Sequence, residues 1–306
     1  MIVRTAKKSD KKEVLKFCTD TFERGDYIDQ VWDIWSADPH GKLYVVDQTE
    51  RCENNNNFPV AISHCTVCPD KRQIWLEGIR VHPAHRRKKI ATALIAKTLQ
   101  FGMRQGAIEA SAVVATENIA SRLMLEKNGF NVISRWVYYA CTHNTVESSR
   151  KRPTNARVAS LADLNDICNY LADSSIYKLS GKRYFKAWRW YFLNRKTLRH
   201  FIKKRNLIVT GYPSPTGIAL INMQGYWHRH RGDVLQIVYL DSLSKSSLQN
   251  LVSFLTNLRI SSIKPPPNSH SSVLQLLAYQ SEHLPVVMKN FNIEESEQFL
   301  LYARRL

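Results

Sequence analysis

The sequence predicts an α/β protein in which strands alternate with amphipathic helices and one order of elements runs twice. Three observations carry this. Short apolar runs of strand length (Leu43–Asp47, Val60–His64, Ile74–Val81, Ala110–Ala115, Val132–Cys141) are separated by polar or turn-forming residues. Ile90–Arg104 puts Ala91, Leu94, Ile95, Thr98 and Leu99 on one helical side. A similar succession then returns after residue 156.

Taken in order, Ile2–Arg4 reads as a strand, Ser9 and Asp10 as a helix start, and Val14, Leu15, Cys18 and Phe22 as the apolar spacing of a first helix. The strands Leu43–Asp47 and Val60–His64 flank a polar loop containing Asn54–Asn57. A His82-Pro83 turn separates the strand Ile74–Val81 from the long helix, and Ala110–Ala115 is the next strand. Asn118–Lys127 is a helix ended by Asn128-Gly129, where glycine can turn left-handed. Val132–Cys141 closes the first pass. Residues 143–155 have linker composition, so the chain divides into 1–142, a linker, and 156–306.

The second pass opens with Arg157–Ala159, then Asp163 ahead of Leu164, Ile167 and Leu171. Leu207–Thr210 and Gly217–Ile221 form a hairpin, Val234–Leu240 leads into a helix over Ser247–Leu258, and Asn290–Ile293 with Phe299–Ala303 mirror Gly129–Val132 with Trp136–Ala140.

At 306 residues, 44% hydrophobic and 23% charged, the chain suits two globular domains. No apolar run approaches the roughly 20 residues that span a bilayer. The N-terminus lacks an apolar secretory core, which places the protein in the cytosol. Six cysteines are too few for a disulfide scaffold. Cys65 and Cys68, with His64 beside them, read as a strand end and turn, and no metal is expected. The net charge of +18 is uneven, with +13 in residues 151–306. Such a field attracts anionic partners and says nothing of fold.

The chemistry concentrates in Trp75–Leu94, where a strand runs through the short basic loop Arg86, Arg87, Lys88, Lys89 into a helix. Backbone N–H groups at a helix N-terminus, with cations beside them, suit a pyrophosphate. This run resembles the acetyl-CoA signature of the GNAT acetyltransferase superfamily, with Arg86 in its first place and Ala91 in its last. Arg80–Pro83 matches the family's strand end and turn, and Asn118–Ser121 with Glu126–Phe130 looks like its second motif.

The resemblance implies a mixed, largely antiparallel sheet flanked by helices, in two acetyltransferase-like modules. Only the first would keep the cofactor loop, because Leu240–Lys245 replaces it in the second. The second would shape the acceptor cleft and support the first. The resemblance further implies that Ile79, Arg80 and Val81 bond the pantetheine arm through their backbone. Amides from Arg86 through Lys89, Ile90 and Ala91 to Thr92 would hold the pyrophosphate, with Asn118 and Ser121 contacting the cofactor. Two departures stand out: Lys89 replaces the usual glycine, and Leu125 replaces a tyrosine that protonates the leaving thiolate. A looser likeness, through Asp26-Tyr27, Asp38-Pro39 and Leu76–Val81, is to proteins related to histidine N-acetyltransferase.

An ammonium cannot attack a thioester, so a base must remove its proton. Glu77, on the strand beside the expected acetyl group and facing the same side as Ile79, is the candidate; a salt-bridged strand residue is its plain alternative. Tyr138 and Tyr139 are candidate acids on opposite faces of one strand. Asp26, Tyr27 and Trp32 are candidates for the acceptor site, against solvated or core-packed roles. The expected activity is transfer of acetyl from acetyl-CoA to a primary amine in a ternary complex. A non-catalytic acyl-CoA-binding module, favoured by Leu125 and Lys89, and a protein acting on ribosomal protein or RNA, favoured by the basic half, are the rivals.

Lys178–Arg205 carries eleven Lys/Arg and no Asp or Glu, interleaved with aromatics. That mixture fits nucleic acid. The spacing of Tyr184, Trp188, Tyr191, Phe192 and Arg195 favours a packed helix with a basic exterior instead. Trp227–Arg231 reads as a basic hairpin loop.

Overall fold

The computed structural model describes residues 2–19, 25–47, 58–142, 154–222, 235–262, 273–289 and 291–306. Loop residues 54–57, linker residues 143–153, the cluster 227–231 and residue 290 lie outside the described residues.

The first pass reads β1 (Val3–Thr5), α1 (Lys11–Cys18), α2 (Ile28–Ser36), β2 (Gly41–Asp47), β3 (Pro59–Val67), β4 (Gln73–Val81), α3 (Ile90–Arg104), β5 (Glu109–Ala115), α4 (Ile119–Lys127) and β6 (Asn131–Thr142). The second reads β7 (Arg157–Val158), α5 (Leu164–Asp173), α6 (Ser175–Leu179), β8 (Arg183–Lys186), β9 (Arg189–Phe192), α7 (Arg195–Lys203), β10 (Leu207–Thr210), β11 (Gly217–Asn222), β12 (Leu235–Ser242), α8 (Lys245–Ser262), β13 (Val273–Tyr279), α9 (Leu284–Met288) and β14 (Asn292–Arg305). The chain forms two compact units: residues 1–132 with 302–306, and residues 133–301.

In the first unit the strands run β1-β2-β3-β4-β5 and end on the last residues of β14. β1 to β4 pair antiparallel, and β4 pairs parallel with β5. β3 is buried along almost its whole length because helices cover both faces of the sheet. On one side α1 and α2 supply Val14, Cys18, Ile28, Trp32 and Trp35, which pack with Leu43, Val45 and Ile62. On the other, α3 buries Leu94, Ile95, Thr98 and Leu99 and packs against β2, β3 and β4. Contact there is close: a Cβ on Gly102 would lie 2.7 Å from Ile74.

The second unit orders its strands β14-β6-β13-β12-β11-β10-β7. β12–β13 is parallel, whereas β7–β10, β10–β11, β11–β12 and β6–β13 are antiparallel. Its core lies under α8 and α9, where Leu251, Leu255, Val287 and Met288 meet Ile208, Ile221, Ile237 and Leu276. Apart from β8, β9 and α7, which have no counterpart in the first pass, the order of strands, helices and the parallel pair repeats that of the first pass. β6, which ends the first pass, pairs with β13 from Val273↔Thr142 to Tyr279↔Trp136.

One element departs from the sequence reading. Tyr184–Phe192 is a two-stranded hairpin, not a helix; β8 and β9 pair from Arg183↔Phe192 to Lys186↔Arg189. Ala187 and Trp188 turn it with φ of 54° and 58°, the left-handed pair that suits a two-residue hairpin. The basic exterior belongs to α7, which buries Leu198, Phe201 and Ile202 and exposes Arg195, Lys196, Arg199 and Lys203. Among the described residues, no helix is long and apolar enough to cross a membrane.

Candidate functional site

Two features of β4 shape the site. Its pairing with β5 runs only from Gln73↔Glu109 to Trp75↔Ser111. Beyond that point a bulge follows: His64 lies opposite Glu77 and Ile62 opposite Arg80, so Gly78 and Ile79 together face Ser63. An extra residue bends a strand and breaks its alternation, so Glu77 and Ile79 are not related by simple strand alternation. Gly78 takes φ +67°, and a Cβ there would lie 2.5 Å from the Trp35 ring. Only glycine satisfies both demands without a shift. The strand edge over residues 76–81 therefore opens away from β5 while staying paired to β3.

Glu77 lies on β4 just beyond the stretch paired with β5, with its side chain 14% exposed. Its Oε1 lies 2.8 Å from Nδ1 of the fully buried His64. The His64 ring stacks on Trp35 at 4.7 Å, nearly parallel to it at 5°. Its Nε2 lies 3.6 Å from Asp38 Oδ2. His64 did not stand out in the sequence as part of this site, and Asp38 entered only through the looser likeness, because residues 38, 64 and 77 share no motif spacing.

Asp26 binds Arg80 through Nε at 2.7 Å and Nη2 at 3.3 Å, and its Oδ1 also accepts the Ile28 N–H. The Arg80 guanidinium lies 5.2 Å from the Tyr27 ring centre, and that ring meets Trp35 edge-on at 6.0 Å. Tyr27 keeps 39% of its surface exposed. Its hydroxyl is nonetheless raised above the usual tyrosine range by burial, with the Glu77 and Asp26 carboxylates adding to the shift and Arg80 opposing it. Trp32 is 1% exposed and lies in the core.

After β4, a short 3₁₀ turn over Pro83–His85 delivers the chain to exposed Arg86, Arg87, Lys88 and Lys89. The Arg86 side chain folds back to the Val81 carbonyl at 3.3 Å. Arg87 and Lys89 take φ of 62° and 61°. These left-handed residues curl the backbone ahead of α3, an arrangement that turns successive N–H groups toward one concavity. Lys89 is the N-cap, and the Ala93 N–H bonds its carbonyl at 3.1 Å. The amides of buried Ile90, half-buried Ala91 and exposed Thr92 thus belong to the first turn, which lacks intrahelical acceptors. The loop suits a pyrophosphate in charge and backbone direction. Asn118 caps α4, accepting the Ser121 N–H at 3.1 Å. Asn128 ties α4 to Thr92 at 3.5 Å. Leu125 is 1% exposed, a core residue.

Tyr138 and Tyr139 belong to the second unit and point to opposite faces of β6 there. Tyr138 meets Trp188 at 5.6 Å. Tyr139 packs in the core under α8, and burial raises its hydroxyl.

Residues 11–130 match the family model described as the acetyltransferase (GNAT) family. The first unit contains a GNAT-family domain. GNAT proteins use acetyl-CoA as co-substrate, and the loop at residues 86–92 falls within the matched span. No curated protein matches the chain. Among solved structures, a GCN5-related N-acetyltransferase from Sphaerobacter thermophilus is similar at 11% identity and a TM-score of 0.58. That match covers 99% of this chain and 95% of the other. A Thermoplasma acidophilum structure matches at 17% identity and a TM-score of 0.56 over 100% of both chains. A GCN5-related glucosamine N-acetyltransferase region of a fungal multi-domain protein matches at 11% and 0.62, over 99% of this chain and 38% of that one. At these identities the likeness is one of fold, and it extends over the second GNAT-like module as well. The described residues contain no cluster of His, Cys, Asp or Glu able to hold a metal.

Proposed function

We propose that the protein is an N-acetyltransferase that moves the acetyl group of acetyl-CoA directly to a primary amine, with Glu77 as general base. The amine belongs to an amino acid, a small amine or a protein. The observation that supports this is the part-exposed Glu77 carboxylate on β4, just past the stretch of that strand paired with β5 and on the strand that leads into the basic loop and α3. In this reading, residues 86–92 hold the pyrophosphate, and the backbone of Ile79, Arg80 and Val81 runs along the pantetheine arm. Asn118 and Ser121 flank the cofactor.

Glu77 takes one proton from the ammonium. The freed nitrogen attacks the acetyl carbon, the C–S bond breaks, and the thiolate takes the second nitrogen proton, directly or through an acid. One proton leaves per turnover. A β-strand N–H polarising the thioester carbonyl lowers the barrier. Leu125 lies in the core, so the acid comes from outside α4. Asp26 acts by holding Arg80, and Tyr27, 39% exposed, is the side chain offered to the acceptor.

The test mixes purified protein with acetyl-CoA and pools of amino acids, polyamines and basic peptides, following CoA thiol release. Acceptor-dependent release, lowered about 10²–10⁴-fold in Glu77→Gln, supports the proposal. Acetyl-CoA binding without release under any pool moves the assignment to a binding module. Full activity in Glu77→Gln removes Glu77 as the base.

A further inference from the structure

We propose that His64 is the positioning residue of the base, and that a proton on its Nε2, favoured by the nearby charge of Asp38, decides whether Glu77 accepts the proton of the amine. This rests on Glu77 being the base.

The geometry is specific. A carboxylate only accepts hydrogen bonds, so against ionised Glu77 the His64 Nδ1 carries the hydrogen, which fixes the rotation of the carboxylate. That leaves Nε2 as the variable site. It is buried without a hydrogen-bond partner, and Asp38 Oδ2 at 3.6 Å is too far for one. A bare Nε2 lone pair gains nothing from a carboxylate, whereas a protonated one is attracted to it.

Two absent side chains permit these approaches. A Cβ on Gly41 would lie 2.6 Å from His64 Nε2 and 2.7 Å from Asp38 Oδ2. Gly78 admits Trp35, which stacks on the imidazole. The surroundings hold few other charges. From β4 the ring faces Glu77, and from the turn before β2 it faces Asp38. α2 presents Trp35, an uncharged ring. Beside His64 on β3, the Cys65 thiol is pushed up to about 12 by burial and stays neutral. Tyr27 and the Arg80–Asp26 pair gather around the Trp35 and Glu77 side.

The array therefore has two states. With Nε2 protonated, an imidazolium lies between two carboxylates, and its charge makes Glu77 a poor proton acceptor. With Nε2 bare, Glu77 keeps its oriented hydrogen bond but faces no cation on His64, and it accepts the proton of the amine. Turnover rises as pH takes that proton away. Asp38 favours the imidazolium, so removing its charge moves the rise to lower pH.

The experiment measures kcat and KM from about pH 5 to about 9 in the full chain and in Asp38→Asn, His64→Gln and Glu77→Gln. The chosen amine contributes equally to every profile, so differences between variants carry the result. Asp38→Asn is expected to move the acidic limb down by about 0.5 pH unit or more. His64→Gln, whose amide can still donate to Glu77, is expected to lose that limb's His component and about tenfold in kcat. KM for acetyl-CoA should hold in both. NMR of the His64 ring reads the same Asp38→Asn shift without turnover. Profiles and ring titration that superimpose on the wild type overturn the proposal while an inactive Glu77→Gln leaves the base assignment standing. A fully active Glu77→Gln overturns both. Where His64→Gln fails to fold, Asp38→Asn alone decides, because that side chain is partly exposed.

Discussion

Replacing Gly78 with alanine tests the construction of the site. The backbone there has φ +67°, and the added Cβ would lie 2.5 Å from the Trp35 ring and 3.5 Å from Ile28. Left-handed backbone costs a non-glycine residue about 1–2 kcal/mol. Forcing a methyl into a packed core costs about 1–3 kcal/mol more. The expected loss is therefore about 2–5 kcal/mol. Gly106 supplies the control: its φ is +85°, yet a Cβ there meets nothing within 4 Å. Gly106→Ala should lose only the backbone part, about 1–2 kcal/mol. Urea unfolding followed by tryptophan fluorescence measures both. Gly78→Ala should also lose acetyl transfer at temperatures where it stays folded, because Trp35 is pushed off His64. Equal destabilisation in the two variants, with transfer intact in both, would refute the idea that Trp35 packing needs this glycine.

Lys89 pays backbone strain at φ 61°, so Lys89→Gly should stabilise the fold by about 1 kcal/mol, read as a higher unfolding midpoint. Calorimetry of acetyl-CoA binding should show Arg87→Ala with Lys88→Ala weakening affinity and flattening its salt dependence. In the second unit two carboxylates should respond to pH in opposite senses. The Arg157 guanidinium, hydrogen-bonded at 2.6 and 2.8 Å, holds Asp163 well below the usual carboxylate range. Its stabilisation is present above the unfolded value of about 3.9 and is lost as pH falls through the lowered one. The deficit of Asp163→Asn in thermal unfolding should therefore shrink on acidification. Asp241 is raised by burial, although the hydroxyls of Tyr170, Ser174 and Tyr239 donate to it. Its stabilising contribution is present below the unfolded value and lost as pH rises through the raised one. Asp241→Asn should remove that loss as pH rises above the unfolded carboxylate value.

Local patterns made much of the fold legible. The apolar runs that became β2 to β5, the stripe on α3 and the Asn118 cap of α4 each follow from a single period or a single hydrogen bond. The misread stretch shows the limit. Tyr184, Trp188, Tyr191 and Phe192 match a helical face by number. The turn that makes them a hairpin uses Ala187 and Trp188 rather than the glycine or asparagine that announces one. The site divides the same way. Arg86–Lys89 and the cap at Asn118 were readable because backbone direction follows from a strand–loop–helix run. The bulge at Gly78 was not, since a lone glycine in a strand has several uses. The pairing of His64 with Glu77 and its approach to Asp38 depend on strand register and on where two glycines leave space, which no spacing along the chain encodes.

The membership of residues 302–306 in the first unit has a consequence for how the chain is made. Tyr302 donates its hydroxyl to Glu126 at 2.8 Å, Arg304 reaches the Asn128 carbonyl at 2.6 Å, and the Leu306 N–H bonds Ile108 at 3.0 Å. The unit that holds Glu77 and the basic loop is thus finished by residues translated some 170 positions after the end of its own helix α4. Until they arrive, β5 presents an open edge, the kind of edge that invites unwanted pairing. A fragment cut after residue 142 would keep that edge permanently. Completion of the first unit's sheet therefore waits on synthesis of the second half, which makes residues 302–306 a checkpoint for the folding of residues that precede them by more than a hundred and seventy positions.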